Sequence, residues 1–206
     1  MSEQKFTDAV LTINTEKQST NVERKNILSL VRELDPILSE TIPEFDFTNP
    51  EYNAVEIASD LVETCKHYKG LGLSANQCGL RHRVFVAGFG ENFVAFFNPK
   101  VISVGKENVH MSEGCLSYPH LFISITRPDS VHLEYEDFNG EKKQGIYTGL
   151  TARIILHELD HLNGVTFTKK AKPLALKCAV EKRQKLYKSF EKSTNKMSKV
   201  SKKLRK

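Results

Sequence analysis

The stretch "TARIILHELDHLNGVTF", residues 151–167, governs how the rest of the chain reads. His157 and His161 stand four apart, so on a helix they project from one face, one turn apart, with Glu158 turned to the side. The flanking Ile154, Ile155, Leu159 and Leu162 are apolar, which marks a buried helix running from Thr148 or Thr151 to Gly164. Two histidines and a glutamate on a buried helix need partners. The pair therefore reads as two ligands of one metal ion, with Glu158 within reach of a bound water. A surface helix carrying this pattern by chance is the weaker reading. The longest form of the pattern, H-E-x-x-H-x-x-G-x-x-H, ends in a third histidine, and here that position is Phe167. A catalytic metal site keeps three protein ligands and one open position, so the third ligand lies elsewhere.

"EGCLSYP" (113–119) supplies the best candidate. Cys115 follows a glycine that permits close backbone approach, and its neighbours Glu113, Ser117 and Pro119 do not suit a buried apolar filler. That filler role suits Cys65, and Cys178 is assigned to it as well. Cys78 fits either a filler or a neighbour of the site. In "GLGLSANQCG" (70–79), glycines 70, 72 and 79 among small residues suggest a backbone passing close to something, although a plain connection is the simpler reading. No G-K-[ST] follows, so this is not a phosphate loop. Gln77 is either an amide donor aimed at the site or an ordinary surface glutamine.

The remaining chain frames these stretches. At 206 residues it suits one domain with a tail, and its 39 % hydrophobic and 27 % charged content is that of a soluble globular protein. No apolar run approaches the roughly 20 residues of a membrane helix. The N-terminus has no apolar core of a secretory signal, and its acids without arginine argue against a transit peptide. Four scattered cysteines without a C-x-x-C pair point to a reducing compartment, the cytoplasm. The net charge of +5 conceals a split: residues 169–206 hold 15 Lys/Arg and two acids (+13), leaving 15 Lys/Arg and 23 acids (−8) in residues 1–168. Three regions follow: a polar, mobile extension over 1–25, a catalytic domain over 26–168 and a basic tail over 169–206.

"NILSLVRELDPILSETIPEFDF" (26–47) reads as an extended wrapping segment. A helix is expected over 50–69, capped by Asn49, started by Pro50 and ended at Gly70. Its apolar face is Ala54, Ile57, Ala58, Leu61, Val62 and Cys65. "RVFVAGF" (83–89), "FVAFFNP" (93–99), "LFISIT" (121–126) and "SVHLEYE" (130–136) read as strands, and Asn139-Gly140 as a hairpin turn into "EKKQGIY". No internal repeat is present. The order helix, antiparallel strands, helix gives an α+β fold, with antiparallel sheets packed around a central helix that carries the H-E-x-x-H motif.

Together the three motif stretches resemble the peptide deformylase family. "GLGLSANQ" is similar to its first motif, G-Φ-G-Φ-A-A-x-Q with Φ apolar, while "EGCLS" and "HELDH" match its second and third, all in the family's order. "LDPILSETIPEFDF" resembles the family's N-terminal approach, and the likeness covers about residues 26–168. Ser74 departs from the first alanine of motif one, and Leu156 from the glutamine usual before the first histidine. The resemblance implies Cys115, His157 and His161 as metal ligands and Glu158 as general acid/base. It implies Gln77, through its side chain, and Leu116, through its backbone N–H, as oxyanion donors. Substrate binding would fall to Gly70, Leu71, Gly72, Glu113 and Gly114. The implied reaction is hydrolysis of N-formyl-Met from nascent peptides to formate and a free amine, with a metal-activated hydroxide attacking the formyl carbonyl. The implied cofactor is one divalent ion, iron(II) first, with zinc, nickel or cobalt also suiting a Cys-His-His set.

The tail "KKAKPLALKCAVEKRQKLYKSFEKSTNKMSKVSKKLRK" (169–206) carries a weak apolar stripe, Leu176, Val180, Tyr187 and Phe190, at near-helical spacing. Many bacterial deformylases resemble one another in a C-terminal helix that docks on the ribosome, and a polycation suits ribosomal RNA. A solvated tail without a partner is the equal alternative. Two other functions compete. A zinc peptidase would need a downstream His or Glu ligand. A nucleic-acid-binding or ribosome-binding protein with a structural metal would explain the tail and leave Glu158 without a role. No membrane partner is expected.

Overall fold

The computed structural model describes residues 26–204, with side chains described to residue 194. The extension expected over 1–25 lies outside the described residues. In chain order the elements are α1 (Ala54–His67), β1 (Gly72–Ser74), β2 (Val84–Phe89), β3 (Asn92–Val104), β4 (Asn108–Cys115), β5 (Tyr118–Pro128), β6 (Ser130–Glu136), β7 (Lys142–Thr148), α2 (Gly149–Leu162) and α3 (Pro173–Leu204). Strands β1-β2-β3-β6-β7 form one sheet and β4-β5 a separate hairpin, and every pairing is antiparallel. The fold is α+β, with antiparallel sheets and helices, as expected. Among the described residues no helix is long and apolar enough to cross a membrane.

The apolar run of β2 follows from burial on both faces. Val84 and Val86 pack with Ile57, Leu61 and Cys65 of α1, while Phe85 and Ala87 pack with Ile155 and Leu159 of α2. A strand sandwiched this way has no polar face, so its sequence does not alternate. Strand β6, second from the other edge of the sheet, does: Val131, Leu133 and Tyr135 are buried and their neighbours are not. Helix α2 contacts β1, β2, β6 and β7 on one side and β5 of the hairpin on the other. The 26–47 segment wraps the body, with Ile37, Leu38, Ile42 and Phe45 buried and the Ile42 N–H donating to the Leu162 carbonyl over 2.9 Å.

Three expectations need correction. Helix α1 starts at Ala54, capped by Asn53, whose side chain accepts from the N–H groups of Val55 and Glu56. Pro50 and Asn49 precede it, and the Asp46 side chain accepts from the Asn49 N–H in a turn. At its other end Lys69, not Gly70, takes the left-handed backbone (φ 59°), and the Gly70 N–H donates to the Cys65 carbonyl over 2.8 Å. Cys178, expected as buried filler, is exposed on α3, whereas Cys65 is fully buried as expected. Strands β1 and β4 were not anticipated.

The bend of β3 is held by one side chain. Asn98 is left-handed (φ 47°), sits at a register shift against β6 and is largely buried. Its Oδ1 accepts from the Phe45 N–H at 2.7 Å, and its Nδ2 donates to the Phe45 carbonyl at 2.9 Å and to Glu136 at 2.6 Å. Asn98→Ala strands the Phe45 groups and is expected to lower stability by about 2–3 kcal/mol. Urea unfolding checks this, and an unshifted midpoint would remove Asn98 from its anchoring role.

Candidate metal centre

Helix α2 presents His157 and His161 on one face, ring centroids 5.0 Å apart, and both are buried. The hairpin delivers Cys115 at the end of β4, just past a register shift that follows Glu113. Such irregularities re-aim side chains where ladder pairing ends. The Cys115 Sγ lies 3.2 Å from His161 Nε2, and the ligand atoms of Cys115, His157 and His161 all fall within 4.8 Å of one another. This is the one such three-residue group among the described residues.

His157 is held from behind. Its Nδ1 lies 2.9 Å from Glu113 Oε2, a contact that fixes the ring and leaves Nε2 for the side facing Cys115. Glu113 is itself gripped by two buried arginines, with Arg127 Nε donating at 2.7 Å, Arg127 Nη2 at 3.0 Å and Arg153 Nη1 at 2.6 Å. Arg127 also donates to Asp160 on α2 at 2.6 Å, and Lys170 pairs with the other oxygen of Asp160 at 3.0 Å. Although burial opposes it, the bonds to His157 and Arg127 hold the Glu113 carboxyl down to about 2. Burial also opposes a charge on His157, yet hydrogen bonds to Cys115 and Glu113 prevail and raise it to about 10. Burial drives His161 well below the usual imidazole range, a neutral ring suited to ligation. A surround that would hold a proton on His157 suits a cation, and a thiolate with two imidazoles is a donor set that divalent metals take. The residues present therefore fit a metal ion.

Glu158 stands beside these ligands without joining them. It is buried, its Oε2 has no hydrogen-bond partner, and burial pushes its carboxyl up to about 7 against the pull of His157. Gly72 on β1 makes room for it, since a Cβ there would lie 2.6 Å from Glu158 Oε1. Gly114 has a matching reason, because a Cβ would lie 2.7 Å from the Phe122 ring. Gln77 is buried, with Nε2 at 3.3 Å from both Cys115 Sγ and Ser117 Oγ. Ser74, the departure in motif one, donates its hydroxyl to Gln77 Oε1 at 3.0 Å and so fixes the amide's orientation. Leu156, the other departure, packs against the core, and its carbonyl accepts from Arg127 at 3.3 Å. Cys78 packs against the α1 core, and burial raises its thiol to about 12.

A cleft of about 540 Å³ opens onto this group. Gly70, Leu71, Gly72, Gln77, Glu113, Gly114, Cys115, Leu116, His157 and Glu158 all line it, and His161 lies behind. Glu113 reaches the cleft with its carboxylate already committed to His157 and the arginines. Phe167 is buried, packed edge-on to Tyr118 and 5.6 Å from the His157 ring, so it is a core side chain and offers no ligand atom. Sequence reasoning missed Arg127, Arg153 and Asn76. Arg127 follows Leu121, Ile123 and Ile125 at every second position, so it lies on the buried face of β5, and that was its signal. Asn76 donates to the His161 carbonyl at 2.7 Å, and nothing in its loop sequence marked it.

A small α+β scaffold with this donor set and a buried carboxyl beside it defines the class of metallohydrolases. Comparison with known proteins narrows it. The family model described as polypeptide deformylase matches residues 27–177, and the chain belongs to that family. It is a metal-dependent enzyme of the peptide deformylase class. The chain is 34 % identical over 142 residues to a peptide deformylase of Thermotoga petrophila, covering 68 % of this chain and 84 % of that one. A Wolbachia pipientis wMel relative is 35 % identical over 149 residues, covering 66 % and 83 %. Among solved structures, peptide deformylase from Thermotoga maritima aligns with TM-score 0.68 and 32 % identity, over 72 % of this chain and 99 % of that one. The enzyme from Synechococcus elongatus in complex with actinonin aligns with TM-score 0.71 and 29 % identity, over 80 % and 92 %.

Glu113→Gln keeps the side chain's shape and weakens its grip on His157, and is expected to lower metal affinity about 10–100-fold. Competition against a chromophoric chelator measures this. Unchanged affinity with weakened peptide binding would return Glu113 to the substrate-contact role expected from sequence.

Proposed function

We propose that the chain removes the N-formyl group from the initiator methionine of newly made peptides, releasing formate. The observation that carries this reading is the Cys115–His157–His161 donor group beside an unpartnered, buried Glu158 oxygen. Cys115, His157 and His161 would hold one divalent ion, iron(II) in the first instance, with zinc, nickel or cobalt as alternatives. When bound, such an ion polarises a carbonyl and lowers the pKa of water to about 7.

The chain's own groups do the rest. Glu158, with its carboxyl near 7, accepts the proton of the attacking water and delivers it to the leaving amine. The Gln77 amide, oriented by Ser74, and the Leu116 N–H hold the oxygen that gains charge as the formyl carbon turns tetrahedral. The edge of Gly70–Gly72 pairs with the substrate backbone, and Gly114 keeps the opposite wall low. The peptidase alternative is disfavoured by Phe167, which offers no ligand atom at the sequence position of that motif's third histidine.

The division into a catalytic domain over 26–168 and a basic C-terminal segment over 169–206 belongs to the same reading. Leu176 and Val180 of α3 pack against the body, which leaves a solvent side with Lys177, Lys182, Lys185, Lys188 and Lys192 exposed. We assign that face to ribosomal RNA in the cytoplasm, near the emerging nascent chain. Co-sedimentation with ribosomes should fall steeply as salt rises. Binding that ignores salt, or none at low salt, counts against this assignment.

Glu158→Gln is expected to retain metal and lose about 10²–10⁴ in turnover. Cys115→Ala should lose metal and activity together, and Gln77→Ala about 10²–10³ in kcat with metal intact. Formate release with metal analysis reads all three. An active Glu158→Gln enzyme would end the proton-transfer role.

A further inference from the structure

We propose that helix α3 sets one wall of the substrate cleft, with Tyr187 and Phe190 acting as positioning residues through His120. The inference rests on the deformylase reading for the nature of the substrate, and on geometry for the wall itself. Tyr118, Pro119 and His120 line the cleft, and each is tied to one face of α3. His120 has a left-handed backbone, φ 61°, which a non-glycine residue keeps only where its surroundings enforce it. The Tyr187 ring stands edge-on to the His120 ring at 5.8 Å between centroids, and the Phe190 ring lies at 6.2 Å on the same imidazole. The Tyr187 hydroxyl donates to the Pro119 carbonyl at 3.3 Å. One turn earlier Arg183 pairs with the Glu33 carboxylate at 2.6 Å, and the Glu33 carbonyl accepts from the Tyr118 hydroxyl at 3.3 Å.

Arg183, Tyr187 and Phe190 fall at i, i+4 and i+7, one helix face, so a single surface of α3 fixes three consecutive cleft residues. The metal-ligand candidates are held differently, through α2 and Glu113. Loosening α3 should therefore weaken peptide binding and leave the metal in place.

The test uses the full chain and three variants: Tyr187→Ala/Phe190→Ala, the conservative Tyr187→Phe, which keeps both rings on His120, and His120→Gly. The last keeps a residue that tolerates the left-handed backbone while removing the ring contact. For each, KM and kcat are measured by formate release from N-formyl-Met-Ala-Ser. Metal per chain and the calorimetric Kd of the unformylated Met-Ala-Ser are measured alongside. The double alanine variant and His120→Gly are expected to raise KM and Kd about fivefold or more with kcat and metal content unchanged. The conservative variant, which loses only the bond to the Pro119 carbonyl, should stay closer to wild type than the double alanine variant. KM and Kd within about twofold of wild type in the double alanine variant would overturn the proposal. So would a loss of metal and kcat at constant KM, or a wild-type chain that does not bind the peptide. A wild-type chain that binds Met-Ala-Ser but releases no formate would instead overturn the deformylase reading, while the Kd comparison still decides the wall.

Discussion

The buried Glu113 carboxylate is the joint on which the site depends. Cys115 comes from a hairpin and the two histidines from a helix, and nothing in backbone pairing joins those elements. Glu113, two residues before Cys115, reaches across to His157 at 2.9 Å, while Arg127 and Arg153 neutralise it. Arg153 belongs to α2 and also donates to the Val109 and Ile125 carbonyls, so it stitches the helix to both strands of the hairpin. Arg127 belongs to β5 and reaches back to Asp160 on α2. A buried charge cluster of this kind costs desolvation, and removing one member leaves the others uncompensated. Its return is geometric: it fixes where the Cys115 sulfur and the two imidazoles meet.

Local patterns in the sequence carried most of the elements and the histidine pair, because each depends on residues near one another along the chain. The i, i+4 histidines, the apolar face of α1 and the strands β2, β3, β5, β6 and β7 all show in short windows. Strand β4 did not, because its exposed residues Val109–Ser112 mix polar and apolar side chains and its pairing is with β5 alone. Strand β1 is three residues long and is defined by its register against Ala87–Phe85. The cap of α1 was misplaced by four residues, since "TNPEYN" offers Asn49 and Asn53 with equal local credentials and the tertiary fold chooses (53 − 49). Arg127 and Arg153 were hidden for a deeper reason. Their partner, Glu113, lies 14 and 40 residues away, and no window of sequence holds both ends of such a bond.

The tail's weak apolar stripe is used by the chain itself: Leu176 and Val180 pack on the body, and Tyr187 and Phe190 meet His120 at the cleft rim. Arg183 turns inward to Glu33, and Lys177, Lys182, Lys185, Lys188 and Lys192 are exposed. Attachment to the body and any recognition of a polyanion thus use different faces of one helix.

Anaerobically purified wild-type chain, assayed at once for bound metal and for products from an N-formyl-Met peptide, tests the central claim most directly. The account predicts one metal ion per chain and one formate per peptide, with the peptide bonds intact and turnover abolished by a chelator. Peptide-bond cleavage, or formate release that persists after the metal is stripped, would contradict it.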